Sequence, residues 1–262
     1  MPKGKNPRGD DPKGNNHDGA NIDAILRGWP YQVGEVVVRQ IKGEDGRDLL
    51  QMRLEMGLLQ LEIEGRPDGQ KPEGYDTYFD YLKSLSLDKQ EPLVLDEDQC
   101  GEVDREFVQF YHRRICWLTL REFRRATRDA DHSLALMDFS RKHSPDKEWT
   151  LSHEQYRPFV LFHRTQAVAL AVSDEEGPEK AIAEIDKGLE RMRELFAEHD
   201  AEEQYDENEL VVRLSELRES LREHYKIESP LAEQLADAIA AEEYELAARL
   251  RDEIAQRDMR GI

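Results

Sequence analysis

Cysteine is nearly absent: the chain has two, Cys100 and Cys116, and no Cys-x-x-Cys pair. That excludes a disulfide framework and a four-cysteine zinc site, and it fits a reducing compartment, so a cytoplasmic protein is expected. Long apolar runs are missing as well. No stretch approaches the ~18 apolar residues of a membrane span, and the amino-terminal MPKGKNPRGDDPKGNNHDG has no apolar segment behind its lysines, as a secretory signal would. Positive charge is in short supply. Against 57 Asp and Glu stand 37 Lys and Arg, a formal net charge of -20 over 262 residues. Clustered cations are what phosphate backbones and anionic lipids attract, so direct binding of nucleic acid or membrane is disfavoured. Partners with basic or neutral surfaces are favoured instead. Catalytic signatures are lacking too: no GxSxG elbow, Walker lysine or dinucleotide fingerprint occurs.

What is present begins with a tail over residues 1–28, rich in Gly, Pro, Asn, Asp and Lys and too poor in apolar side chains to order itself. A small sheet follows, within a unit of residues 29–90. Val36-Val37-Val38-Arg39-Gln40-Ile41 is β-branched, and Gly43-Glu44-Asp45-Gly46 is a turn signal. Leu50, Met52, Leu54 and Met56 alternate with polar residues, and so do Leu59, Leu61 and Ile63. Each run has the period of a half-buried strand. The phase slips across Gly57-Leu58, which requires a bulge or sharp bend. A three-stranded antiparallel meander with one apolar face results, and it needs a cover. Tyr75, Tyr78, Phe79, Tyr81 and Leu82 recur at helical spacing and supply a candidate for that cover. The intervening GRPDGQKPEG is a surface turn without phosphate-binding spacing.

Residues 91–228 read as helices. Phe107, Phe110, Tyr111, Ile115 and Leu118 form one stripe, and Phe123, Ala126, Ala130, Leu134 and Met137 another. The break at Leu120-Arg121-Glu122-Phe123 is short enough to force an antiparallel hairpin. Ser152 with Gln155 has the form of a capping box opening the next helix, and Asp174 to Pro178 closes that helix. Ala181, Ile185, Leu189, Met192 and Phe196 stripe its successor. EHDAEEQYDENE, Glu198 to Glu209, reads as a solvated connector, and Leu210, Leu214, Leu217, Leu221 and Tyr225 mark a further helix ending at Lys226. LTLREFRRATRDADHSL and GPEKAIAEIDKGL share one plan, which resembles tetratricopeptide-type helical repeats with Ala126 and Ala181 at the small packing position. Those alanines stand 55 residues apart, against a repeat of about 34, so a generic helical bundle is the other reading.

Few residues invite chemistry. His112 and Cys116 share a helix face at ligand-compatible spacing, but no second pair accompanies them, and His163 sits on an apolar stripe as a core histidine. No metal, cofactor or catalytic residue is therefore assigned, and the protein is expected not to be an enzyme. The competing reading is an enzyme of unknown class at the sheet–helix junction, with Arg66, Asp68 and Tyr75 as its candidates. A deep polar pocket there would favour it.

The end of the chain, residues 229–262, is more specific. Ser229-Pro230 supplies an N-cap and a first-turn proline, so a helix starts at Leu231 and carries Leu231, Leu235, Ala238 and Ile239 on one face. After Glu242-Glu243 a second stripe appears as Tyr244, Ala247, Leu250 and Ile254. Ala247 and Ala248 remove bulk so that two short antiparallel helices can approach closely, and Glu245 precedes Arg249 in the favourable ion-pair order. LAEQLADAIAAEEYELAARLRDEI resembles the UVR motif, the helical hairpin of the excision-repair proteins UvrB and UvrC, which also occurs in Clp-type chaperone ATPases and in the kinase activator McsA. The pattern is met by Glu243, Tyr244, Glu245, Ala247, Ala248, Leu250, Arg251, Asp252 and Ile254. The resemblance implies protein–protein contact without chemistry, through Leu231, Leu235, Tyr244, Ala247, Leu250, Arg251, Asp252 and Ile254, with another UVR hairpin as partner, self or foreign. The helicase and nuclease motifs of UvrB and UvrC and the cysteine pairs of McsA are absent from this chain. The expected architecture is α+β, mainly α: a small N-terminal sheet, tetratricopeptide-like antiparallel hairpins, and a C-terminal UVR hairpin.

Overall fold

The computed structural model describes residues 21–88 and 92–260. Of the expected tail, residues 1–20 lie outside the described residues, and Asp23–Gly28 forms a short helix, α1, that buries no side chain. Strands β1 (Val37–Lys42), β2 (Asp48–Leu54) and β3 (Gly57–Glu62) then form an antiparallel meander in that order. Leu50 stands opposite Gln40 and Leu61, and Met52 opposite Val38 and Leu59, so the apolar side chains share one face as the alternation requires. The Asp45-Gly46 turn is present, with Gly46 at φ +83.

The second turn falls two residues earlier than the phase slip suggests. β2 ends at Leu54, which pairs with Gly57, and the chain reverses on Glu55 and Met56, leaving Met56 92% exposed. Of the expected bulge or sharp bend the structure therefore has the bend, a two-residue hairpin placed just before Gly57. Alternation continues through such a turn, which is why Met56 mimicked a strand position.

The cover of the sheet also differs. Helix α2 (Tyr78–Asp88) packs Tyr78, Phe79 and Leu82 against Leu93, Leu95, Cys100, Val103 and Leu136, away from the strands. Cys116 and Trp117 of α3 (Glu97–Thr119), Ala126 of α4 (Phe123–His143) and Ala167 of α6 (Arg157–Glu176) lie under the sheet instead. The reason is local: the fully buried Glu106 of α3 accepts the amides of Tyr78 at 2.6 Å and Phe79 at 3.1 Å, fixing the start of α2 to α3. A carboxylate at a helix N-terminus satisfies amides that have no partner within the helix.

The remaining helices are α5 (Lys147–Glu154), α7 (Pro178–Glu198), α8 (Glu209–Tyr225), α9 (Leu231–Ala240) and α10 (Tyr244–Arg260). α3 and α4 form an antiparallel pair about the three-residue break, and α6 and α7 form another across Gly177. Ala126 and Ala181 are fully buried in these packings. Gly188 is still tighter: a Cβ there would lie 2.1 Å from the Thr165 side chain. Buried Arg113 binds both oxygens of Asp129 at 2.8 and 2.9 Å and donates to the carbonyls of Glu62 and Gly65, tying the end of β3 to α3 and α4.

Two segments depart from their sequence reading. Asp146 caps α5 by accepting the Trp149 amide, whereas Ser152 lies inside α5 with its hydroxyl donating to the Trp149 carbonyl. α6 starts later, where Pro158 can occupy a first turn that has no use for its missing donor. The acidic connector is not simply solvated. Tyr205 is buried in the α7–α8 core, edge-on to Phe196, and its hydroxyl donates to the Leu189 carbonyl at 3.1 Å.

Helix ends share a device. Arg121, Asp200, Lys226 and Glu242 follow α3, α7, α8 and α9 with φ between 52 and 61. At each, the next amide reaches back five residues: Glu122 to Trp117, Ala201 to Phe196, Ile227 to Arg222, and Glu243 to Ala238. This is the Schellman reversal, built without the glycine that favours it.

Candidate docking site

Helices α9 and α10 fold back on one another through Ala241–Glu243. Ala238, Ala247 and Leu250 are buried in the seam, with Leu231, Leu235 and Leu246 packed around them, and this cluster includes no residue from outside the hairpin. Small residues at the crossing let the backbones approach, as the alanines predict. Only Ala247 of the two alanines serves the seam; Ala248 is exposed. Leu246 belongs to the seam although its position in the stripe did not suggest it.

The eight expected contact residues therefore divide. Ala247 and Leu250 point inward and hold the hairpin together, while Leu231, Leu235 and Ile254 are half-buried. Tyr244 is 68% exposed, and Ile239, on the facing helix, is 55% exposed. Arg251 and Asp252 are exposed and paired with each other at 2.8 Å. Glu245 and Arg249 form no ion pair among the described residues; the four-apart pair of α10 is Glu253–Arg257, at 2.9 Å.

At the start of α9 the cap is Pro230, with no side-chain hydrogen bond, which corrects the expected Ser229 cap. Ser229 is engaged otherwise: its carbonyl accepts from Gln234 at 2.5 Å and its hydroxyl from Arg222 at 3.4 Å. The hairpin meets the helical body through Glu233, whose two oxygens lie 2.8 Å from Arg218 and 2.7 Å from Arg222. Arg218 reaches on to Asp186 of α7 at 3.0 Å. Hydrogen bonding from Arg222 holds the Glu233 carboxyl below its ordinary value despite partial burial. Nothing local in the sequence signals this latch, since its partners are brought together only by the turn after α8.

The sheet–helix junction brings Arg66 and Asp68 together but not Tyr75. Arg66 is buried, 3.3 Å from Asp68 and 2.8 Å from Glu102, and Gln109 bridges it to Asp68. Tyr75 is partly exposed and leans on the Tyr81 ring. In the open cleft alongside, Glu62 pairs with Arg47 and Asp76 with Lys71. The histidine candidates also separate. His112 bonds the Val108 carbonyl while Cys116 is buried under the sheet. His163 is buried and accepts weakly from Arg114 at 3.4 Å, with burial driving its pKa to about 3, as a neutral core histidine.

The C-terminal unit is a two-helix hairpin with a thin alanine seam, apolar side chains left outside the seam, and an ionic latch to the helical body. Residues 229–256 match the UVR family model, described as the UvrB/uvrC motif. No curated protein and no solved structure matches the chain. No helix among the described residues is long and apolar enough to cross a membrane.

Proposed function

We propose that the protein is a non-enzymatic adaptor that docks through its C-terminal hairpin onto a second UVR hairpin, of its own copy or of a partner protein. The observation that carries this reading is how the hairpin divides its apolar surface. Three side chains fill the seam, while Ile239 and Tyr244 stay outside. Two helices of this length bury too little to offset their ordering entropy, so a covering surface adds stability where it is scarce. A facing hairpin laid over Ile239 and Tyr244 completes a four-helix bundle.

The match of residues 229–256 to the UvrB/uvrC motif supports a partner in nucleotide-excision repair. Chaperone–protease quality control is the other setting in which hairpins of this resemblance occur. The scarcity of cysteine supports the reducing cytoplasm as the place of action. The engagement of Arg66 and Asp68 by neighbouring side chains supports a structural role for the sheet–helix junction.

The test compares the wild type with an Ile239→Glu, Tyr244→Glu variant, whose changes lie outside the seam and leave the hairpin folded. Light scattering reads self-association, and titration with isolated UVR hairpins from repair and from protease-linked proteins reads foreign partners. The variant is expected to lose at least tenfold in affinity for whichever hairpin the wild type binds, in line with removing central apolar contacts. Unchanged association in the variant, or no association of the wild type, sinks the proposal.

A further inference from the structure

A cleft of about 590 Å³ opens between α3 and α6, far in sequence from the hairpin. Four aromatic rings line it, those of Phe107, Tyr111, Tyr156 and Phe159. None of its lining residues is acidic, in a chain whose net charge is -20. Two lining residues are basic, and they behave differently. The His112 ring donates Nδ1–H to the Val108 carbonyl at 2.9 Å, and burial lowers its pKa, so it is neutral at pH 7. Arg114 is the cation of the cleft.

Arg114 is only 1% exposed, and no carboxylate forms an ion pair with it among the described residues. Asp129, the carboxylate that acts on it through space, gives both oxygens to Arg113. The Arg114 guanidinium donates instead to neutral groups, the Ser133 hydroxyl at 2.9 Å and His163 at 3.4 Å, while Nη2 makes no hydrogen bond among the described residues. Burial lowers its pKa to about 10, so it stays charged at pH 7 but poorly solvated. A buried cation without a paired carboxylate is a standing cost, and the free Nη2 can donate a charge-assisted hydrogen bond to an anionic oxygen such as that of a carboxylate.

We infer that this cleft is a binding site for a small apolar carboxylic acid, its hydrocarbon or aromatic group held among the four rings and its carboxylate against Arg114. The volume and the mix of apolar walls with one polar anchor are those of a small-molecule site. A peptide fits less well. The lining helices use their backbone groups internally, so the amides of an extended chain would be buried without partners. The stretch Phe107 to Arg114 also rises only about 10 Å along α3. This site is independent of the docking hairpin, and either can fail without the other.

The probe is 4-phenylbutyrate, titrated into the full chain by calorimetry beside its uncharged amide, 4-phenylbutanamide. The acid is expected to bind at least tenfold more tightly than the amide, as a charge-assisted bond outweighs a neutral one. Arg114→Met is expected to erase that difference. Val108→Trp, placed at a rim residue that is 50% exposed, is expected to block both ligands without touching the guanidinium. If Arg114→Met fails to fold, the acid–amide comparison and the rim variant still decide. Equal binding of acid and amide overturns the inference, as does an absence of binding at millimolar acid. Displacement of the acid by an aromatic peptide without carboxylates overturns it in favour of a protein-docking groove.

Discussion

Two of the protein's antiparallel helix pairs, α6–α7 and α9–α10, are of opposite economy. The first is flanked by α4 on one side and α8 on the other, and its members approach so closely that Gly188 has no room for a Cβ beside Thr165. Its apolar residues vanish into a core that runs on to Tyr205 and Leu214. The second pair has a comparable seam of small residues, but among the described residues its apolar cluster includes only its own side chains. The seam makes a helix pair; coverage of the outer faces decides whether that pair becomes part of a domain or a module that seeks a partner.

Substitutions can break this contrast, and the largest effects are expected in the body. Asp129→Ala removes the counter-ion of buried Arg113 and should destabilise the body by about 3–5 kcal/mol, read as a fall in the main denaturation midpoint. Leu250→Ala should remove about 2–5 kcal/mol from the hairpin seam. The expected result is local: amide exchange rises across residues 231–260 while the main transition stays in place. A single shared transition for both variants would show that hairpin and body are one cooperative unit.

A gentler change separates the two regions without unfolding either. Glu233→Gln should weaken the latch by no more than about 1 kcal/mol, because the pair is partly solvated. The same weakening follows from acid. The Glu233 carboxyl lies below its ordinary 4.5, so its contribution is fully present above that pH and fades as pH falls through the folded value. Amide exchange at the start of α9 should accelerate below pH 4.5 in the wild type and show no such pH step in Glu233→Gln. An effect of similar size has the opposite sign. Glu242→Gly relieves a left-handed backbone bearing a side chain and should stabilise the hairpin by about 1 kcal/mol, seen as slower exchange in α9 and α10.

Much of this architecture is legible from side-chain period. The alternation around Leu50 and Leu61, the break at Arg121 and the helices α9 and α10 depend on neighbours in sequence, and they appear where expected. Period shows which face is apolar but not what covers it, so α2 could be placed as a helix and still be assigned the wrong partner. Ser152 carried a cap-like spacing inside a helix because hydroxyls bond a preceding turn as readily as they cap the next. Tyr205 is a single aromatic in an acidic run, with no period to mark it. The Schellman ends were hidden because Arg121, Asp200, Lys226 and Glu242 stand where glycine is the usual signal. At the C-terminus, the motif located the hairpin, but Glu233 and its two arginines meet only after the chain has turned.

The connector after α8 is short: Ile227 to Pro230 separate Lys226 from the start of α9. Four residues span at most about 14 Å even when fully extended. A partner held by α9–α10, as proposed, would therefore be tethered beside α8, and its further contacts with the body would become intramolecular. Over so short a linker the effective concentration reaches the millimolar range, enough for surfaces too weak to associate on their own to meet.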